Sequence, residues 1–255
     1  MAAAGRYVPV PGVLCTLPAS GDGSRPVMVL EHVTGTLLSE VLADGGAGLD
    51  ELGAEVGRVM ATISRISFDR PGFFTDSTLA TGSERPWSRQ LPEFAARCMA
   101  DTPPDRFEPA TRTAWVELCT AHAPSLAAVD DQARLVHSDA NPKNILVSPV
   151  GGGWRVDAVL DWEFAYSGSP YADAANMLRF GSSYPAGFRD GFRAGFAAHQ
   201  PADLPPVEGW LYLGRVQDMF ALSELVTRPV GHPIGDQAAD QVLRWLAAGV
   251  PDAPV

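Results

Sequence analysis

The sequence predicts an α+β chain: a mostly helical body that carries one β-hairpin and is preceded by a fragment of another sheet. Three patterns predict it. Apolar residues return at helical intervals through most of the chain, two strand-like runs flank the turn "VGGG" near its middle, and two short apolar runs near the start bracket the turn cluster "LPASGDGSRP". With 255 residues, 46% hydrophobic and 19% charged, the chain is long and apolar enough to bury a core.

The elements follow in order. "MAAAGRYVPVPGVL" is a loose, proline-bearing opening, and "VLCTL" and "VMVLEHV" are strands. In "TGTLLSEVLADGGAGLDELGAEVGRVMATISRI", Leu49, Leu52, Val56, Val59, Met60 and Ile63 recur on one face, so a long amphipathic helix with a core-packing role is expected. Two more helices are expected over "WSRQLPEFAARCMA" and "PATRTAWVELCTAHA", parted by the breaker "DTPPDRF". "ARLVHSD" reads as a short strand running into a loop, and "NILVSP" pairs with "WRVDAVLDWE" across "VGGG". The remainder, "SPYADAANMLRF", "FRDGFRAGFAAH", "WLYLGRVQDMFALSELV" and "DQAADQVLRWLAA", is helical, with Phe188, Phe192 and Phe196 forming a core stripe.

Composition excludes several function classes. A formal net charge of −11 argues against a nucleic-acid binder that works by neutralising phosphates, and it suits cationic small molecules. No apolar run approaches the ~18 residues of a membrane helix. The opening residues have neither the apolar core nor the basic leader of a signal peptide, so a cytoplasmic protein without a membrane partner is expected. Cys15, Cys98 and Cys119 are widely spaced and read as reduced thiols.

The chemistry concentrates in "LVHSDANPKNILVSP". His137, Asp139 and Asn144 form H-x-D-x-x-x-x-N, and Asp161 follows at the end of the second hairpin strand. Two strands joined by a tight turn bring the loop before the first and the residue after the second to one sheet edge. Oxygen donors gathered there make a magnesium site once phosphate oxygens and water complete the octahedron. Each residue alone reads more simply as a turn or cap residue. The ordered set is what carries the signal.

That set resembles the catalytic loop of the protein-kinase-like fold and, through "LDWEF", more closely the aminoglycoside phosphotransferase and choline kinase branch. The resemblance runs over residues 8–230. It implies Asp139 as catalytic base, His137 as a buried brace, and Asn144 with Asp161 as ligands of the Mg²⁺ that bridges ATP phosphates. "RPVMVLEHVTGTLL" is similar to the family's hinge, where backbone groups of Glu31, His32 and Val33 would meet the adenine. Asp173, in "GSPYADAANMLRF", matches the aspartate that braces the loop. Lys143 either touches phosphate or is a surface cation. The resemblance implies a small-molecule hydroxyl acceptor, for which an amine-bearing compound suits the acidic chain, and its aminoglycoside branch implies antibiotic resistance.

The same resemblance exposes a gap. The kinase-like nucleotide lobe needs a glycine-rich hairpin, a strand lysine and a helix glutamate, roughly 40 residues in all, yet only 26 residues precede Val27 and Lys143 is the only lysine. Residues 1–34 are therefore expected to be a remnant of that lobe and hinge, with 35–255 the helical catalytic and substrate-binding lobe. "ASGDGS", Ala19–Ser24, lacks the lysine or helix N-terminus that would make it a phosphate cradle. Two alternatives stand beside phosphotransfer: a catalytically inactive, kinase-derived binding protein, and a metal-dependent hydrolase built on His137, Asp139 and Asp161.

Overall fold

The computed structural model describes residues 1–19, 25–204 and 207–253, so the "ASGDGS" stretch lies, apart from Ala19, outside the described residues. In chain order the strands are β1 (Val13–Leu17), β2 (Val27–Leu30), β3 (Thr36–Leu37), β4 (Gly72–Phe73), β5 (Arg134–Val136), β6 (Ile145–Val150), β7 (Gly153–Val159) and β8 (Tyr166–Gly168). The helices are α1 (Leu38–Asp44), α2 (Leu49–Ile63), α3 (Trp87–Asp101), α4 (Pro109–His122), α5 (Tyr171–Leu178), α6 (Ala186–Ala198), α7 (Trp210–Leu225) and α8 (Pro233–Ala248). The α+β class and the helical body are as the sequence predicts. Among the described residues no helix is long and apolar enough to cross a membrane.

The chain divides into two compact units. The first comprises Met1–Ile66, Asp139–Phe164 and Tyr184–Pro201. Its centre is the antiparallel sheet β3-β6-β7, in which β6 and β7 form the expected hairpin. Gly151 (φ 59°) and Gly152 (φ 89°) make its turn, because two successive positive φ values match the strand twist and fall to glycine. β7 stops at Val159, short of the expected "LDWE", since Asp161 has φ 60° and cannot continue a ladder.

The single helix expected within residues 34–66 is the short strand β3 followed by two helices. Gly45 (φ 67°) and Gly48 (φ 71°) lie in the left-handed region and separate α1 from α2. α2 then packs on α6 at unusually short range. A Cβ on Gly53 or Gly57 would lie 2.1 Å from the Phe188 carbonyl oxygen or 2.3 Å from that of Phe192. On the α6 side, a Cβ on Gly191 or Gly195 would lie 2.0 Å from the Asp50 oxygen or 2.1 Å from that of Ala54. The glycines let the two backbones touch, and Phe188, Phe192 and Phe196 beside them are fully buried.

The second unit comprises Ser67–Ser138, Ala165–Ser183 and Ala202–Val255. Its small antiparallel sheet runs β4-β8-β5. α7 is buried on nearly every side, with Tyr212 through Met219 all in the interior. Trp115 on α4 is fully buried and satisfies its indole N–H by donating to Ser223 Oγ at 2.9 Å. Asp218 on α7 accepts from Arg179 at 2.6 Å in a nearly solvent-free pair, which meets the rule that buried charges are paired.

Candidate active site

The loop between β5 and β6 is a series of short hydrogen-bonded turns. Asn141 caps the single helical turn Pro142–Asn144, its Oδ1 accepting from the Lys143 N–H at 3.0 Å. This is the local bond that asparagine offers a backbone turn, and proline at the next position fixes the entry. The Asn144 N–H then donates to the Asn141 carbonyl at 3.0 Å. The loop therefore holds its shape from its own side chains.

Asp139 is the centre of this arrangement. Its Oδ1 accepts from Asn141 Nδ2 at 2.9 Å, and its Oδ2 accepts from Asn144 Nδ2 at 2.7 Å. Two amides thus hold the carboxylate by opposite oxygens and fix its plane. Asp139 is half-buried.

Asn144 and Asp161 are brought together by the hairpin. The Leu160 N–H donates to the Asn144 carbonyl at 2.8 Å, so the residue before Asp161 is tied to Asn144 itself. The Val159 N–H donates to Pro9 O at 2.9 Å and the Trp162 indole N–H to Val159 O at 2.9 Å, which pins the chain on both sides of Asp161. With its amide nitrogen turned to Asp139, Asn144 keeps Oδ1 directed away from that carboxylate. Asp161 is exposed. This oxygen-only donor set fits a hard divalent cation such as Mg²⁺. Among the described residues no cluster of three or more His, Cys, Asp or Glu could hold a metal ion; Asn144 and Asp161 would share it with phosphate oxygens and water.

His137 lies in the second unit, at the end of β5, and is fully buried. Asp173, 1% exposed on α5, accepts from the His137 N–H and from the Ser138 N–H, both at 2.8 Å. Asn176 donates to the Ser138 carbonyl at 2.8 Å. Ser138 has φ 70° and Asp161 φ 60°, two of the four non-glycine positive φ values among the described residues. Such conformations cost about 1–3 kcal/mol each and persist where their surroundings over-determine them. Here the Asp173 and Asn176 bonds hold Ser138, and the bonded neighbours Leu160 and Trp162 hold Asp161.

The remaining predicted residues are at the surface. Lys143 is exposed on its turn. Glu31 and His32 are exposed and Val33 half-buried in the segment after β2. The Glu31 N–H already donates to Gly12 O at 2.7 Å. Two residues of the loop architecture were missed in the sequence: Asn141, whose Asx-turn signal was the motif Asn-Pro-Lys, and Asn176, which has no signal outside the folded helix.

Comparison with known proteins gives a family and a fold. The model of the phosphotransferase enzyme family matches residues 1–210. No curated sequence relative matches. Among solved structures, aminoglycoside phosphotransferase APH(4)-Ia is similar at a TM-score of 0.70 and 19% identity, over 96% of this chain and 78% of that one. A thermostable mutant of that enzyme, in ternary complex with ADP and hygromycin B, gives 0.69 and 19% over 95% and 78%. The microcompartment-associated aminopropanol kinase gives 0.59 and 17% over 96% and 78%. At these identities the structures speak for a shared protein-kinase-like fold, and the family match over most of the length goes further: the chain belongs to the phosphotransferase enzyme family.

Proposed function

We propose that this protein transfers the γ-phosphate of ATP to a hydroxyl of a small molecule, with Asp139 as the base. The observation that carries the reading is the Asp139 carboxylate held by Asn141 and Asn144 beside the chain segment that ends in Asp161. In phosphoryl transfer the protein mainly positions reactants and offsets charge. Asp139 would accept the acceptor's proton, with its plane already set by two amides. Asn144 Oδ1 and Asp161 would hold Mg²⁺, which when bound neutralises charge on the transferring phosphoryl group. Residues 1–34 would supply the nucleotide side, with His32, Val33 and the Glu31 carbonyl meeting the base, and Lys143 standing on the loop for phosphate. His137 would brace the chain ahead of the loop, with Asp173 holding the His137 and Ser138 backbone.

The acceptor reading is an amine-bearing alcohol. The net charge of −11 suits a cation, and the structural relatives include aminoglycoside phosphotransferases and an aminopropanol kinase, all named for compounds that carry both groups. The test is ADP release by the purified chain with Mg·ATP and a panel of amino alcohols and aminoglycosides. Acceptor-dependent release that falls about 10²–10⁴-fold in Asp139→Ala is expected. Release unchanged in Asp139→Ala would remove Asp139 from the chemistry, and none with any acceptor, despite nucleotide binding, would favour the catalytically inactive alternative.

A further inference from the structure

Asn141 stands between Asp139 and Asn144 in the chain and bonds to both. Its backbone N–H donates to the Asp139 carbonyl at 2.9 Å, and its own carbonyl accepts from the Asn144 N–H at 3.0 Å. Pro142 keeps it in extended backbone (φ −118°, ψ 164°), as proline does to the residue before it. The two ends of its side-chain amide are used differently. Oδ1 accepts from the Lys143 N–H at 3.0 Å, which closes the turn. Nδ2 donates to the Asp139 carboxylate Oδ1 at 2.9 Å and to the Asp139 carbonyl at 3.2 Å. Because the Lys143 N–H can only donate, it settles which end of the amide is oxygen, and the end that meets Asp139 is therefore the donor.

Asn144 also donates to Asp139, at 2.7 Å to Oδ2, but on the phosphotransferase reading its side chain is shared with the metal. Asn141, whose Oδ1 is engaged by the turn, is not among the proposed ligands. We propose that Asn141 is a positioning residue for the base: Nδ2 holds the Asp139 carboxylate in the orientation that takes the hydroxyl proton, with or without the cation, while Oδ1 keeps the turn. The inference rests on the reading of Asp139 as the base. A carboxylate gripped by one oxygen alone is freer to turn about its Cβ–Cγ bond, a broad torsion, and a misplacement of about 1 Å at a reacting group costs on the order of 10²-fold in rate.

Substitution separates the two ends of the amide. Asn141→Ser and Asn141→Asp each keep an oxygen that can cap the turn and lose the Nδ2 donor, and Asn141→Asp also places a like charge beside Asp139; Asn141→Ala loses cap and donor together. Steady-state kinetics of acceptor-dependent ADP release should show kcat lower by about 10–10²-fold in Asn141→Ser and lower still in Asn141→Asp, with KM for ATP and for the acceptor within ~2-fold of wild type. Thermal melting should leave both variants near the wild-type Tm, and Asn141→Ala alone should fall, by about 2–4 °C. A purely structural role makes kcat follow Tm instead: Asn141→Ser and Asn141→Asp turning over as wild type does would overturn the proposal while leaving the phosphotransferase reading intact. A loss carried by KM for ATP overturns it as well, because it moves Asn141 to nucleotide binding. No turnover by the wild-type chain with any acceptor removes the base itself, and this inference falls with the reading it rests on.

Discussion

Replacing Asp173 tests how the loop is held. Its carboxylate is 1% exposed and accepts two backbone N–H bonds of 2.8 Å, from His137 and Ser138. Hydrogen bonds to a charged partner contribute about 1.5–3 kcal/mol each, and a buried donor left without an acceptor bears its full desolvation cost. Asp173→Ala removes both acceptors, so a loss of about 3–5 kcal/mol follows, a large part of the ~5–15 kcal/mol that stabilises a typical domain. Asp173→Asn keeps one acceptor oxygen and turns an NH₂ toward the second donor, which should cost roughly 2 kcal/mol or more. Urea denaturation of wild type and both variants measures these differences through the midpoint at constant slope. The larger effect belongs to alanine. An alanine variant within ~1 kcal/mol of wild type would refute the idea that Asp173 carries the loop's backbone.

Two further predictions concern packing and protonation. Gly57→Ala places a Cβ 2.3 Å from the Phe192 oxygen, against the roughly 3.3 Å such a contact needs. Strain of about 1–3 kcal/mol should outweigh the ~1 kcal/mol gained in helix propensity, so thermal melting should show a lower Tm; a higher one would contradict the close α2–α6 contact. His122, whose Nδ1 lies 2.6 Å from the Tyr212 hydroxyl, has its pKa lowered from 6.5 by burial. In the window just below 6.5 the unfolded chain binds this proton more readily than the folded one, so the contribution of His122 is full above 6.5 and is lost as pH falls through the folded value. His122→Gln should flatten the fall in Tm as pH drops below 6.5, and an unchanged slope would refute the assignment.

The order of helices and the central hairpin were legible because periodic apolar spacing and a run of glycines state them directly. The proximity of Asp139, Asn144 and the segment ending in Asp161 was legible, because a hairpin can close that spacing. Its mechanics were not. That Asn141 grips Asp139, and that Ser138 and Asp161 take left-handed backbone, depends on dihedral angles and neighbours that composition does not encode. β4 and β8 are two and three residues long, too short for alternation to appear. The break between α1 and α2 had a signal, "DGGAG", which helical periodicity on either side overrode. For β1 and β2 the apolar runs announced strands, while nothing in them says whether a second layer covers them.

The most direct test of the central claim is calorimetric titration of Mg·ATP into the 255-residue chain and into Asp161→Ala. Binding that requires magnesium and weakens by at least ~10-fold in the variant is the predicted result, since the loss of one metal ligand removes a charge that only the nucleotide's cation needs. No binding, or equal binding by both chains with and without magnesium, would contradict the assignment of Asn144 and Asp161 as the metal side of a phosphotransfer centre.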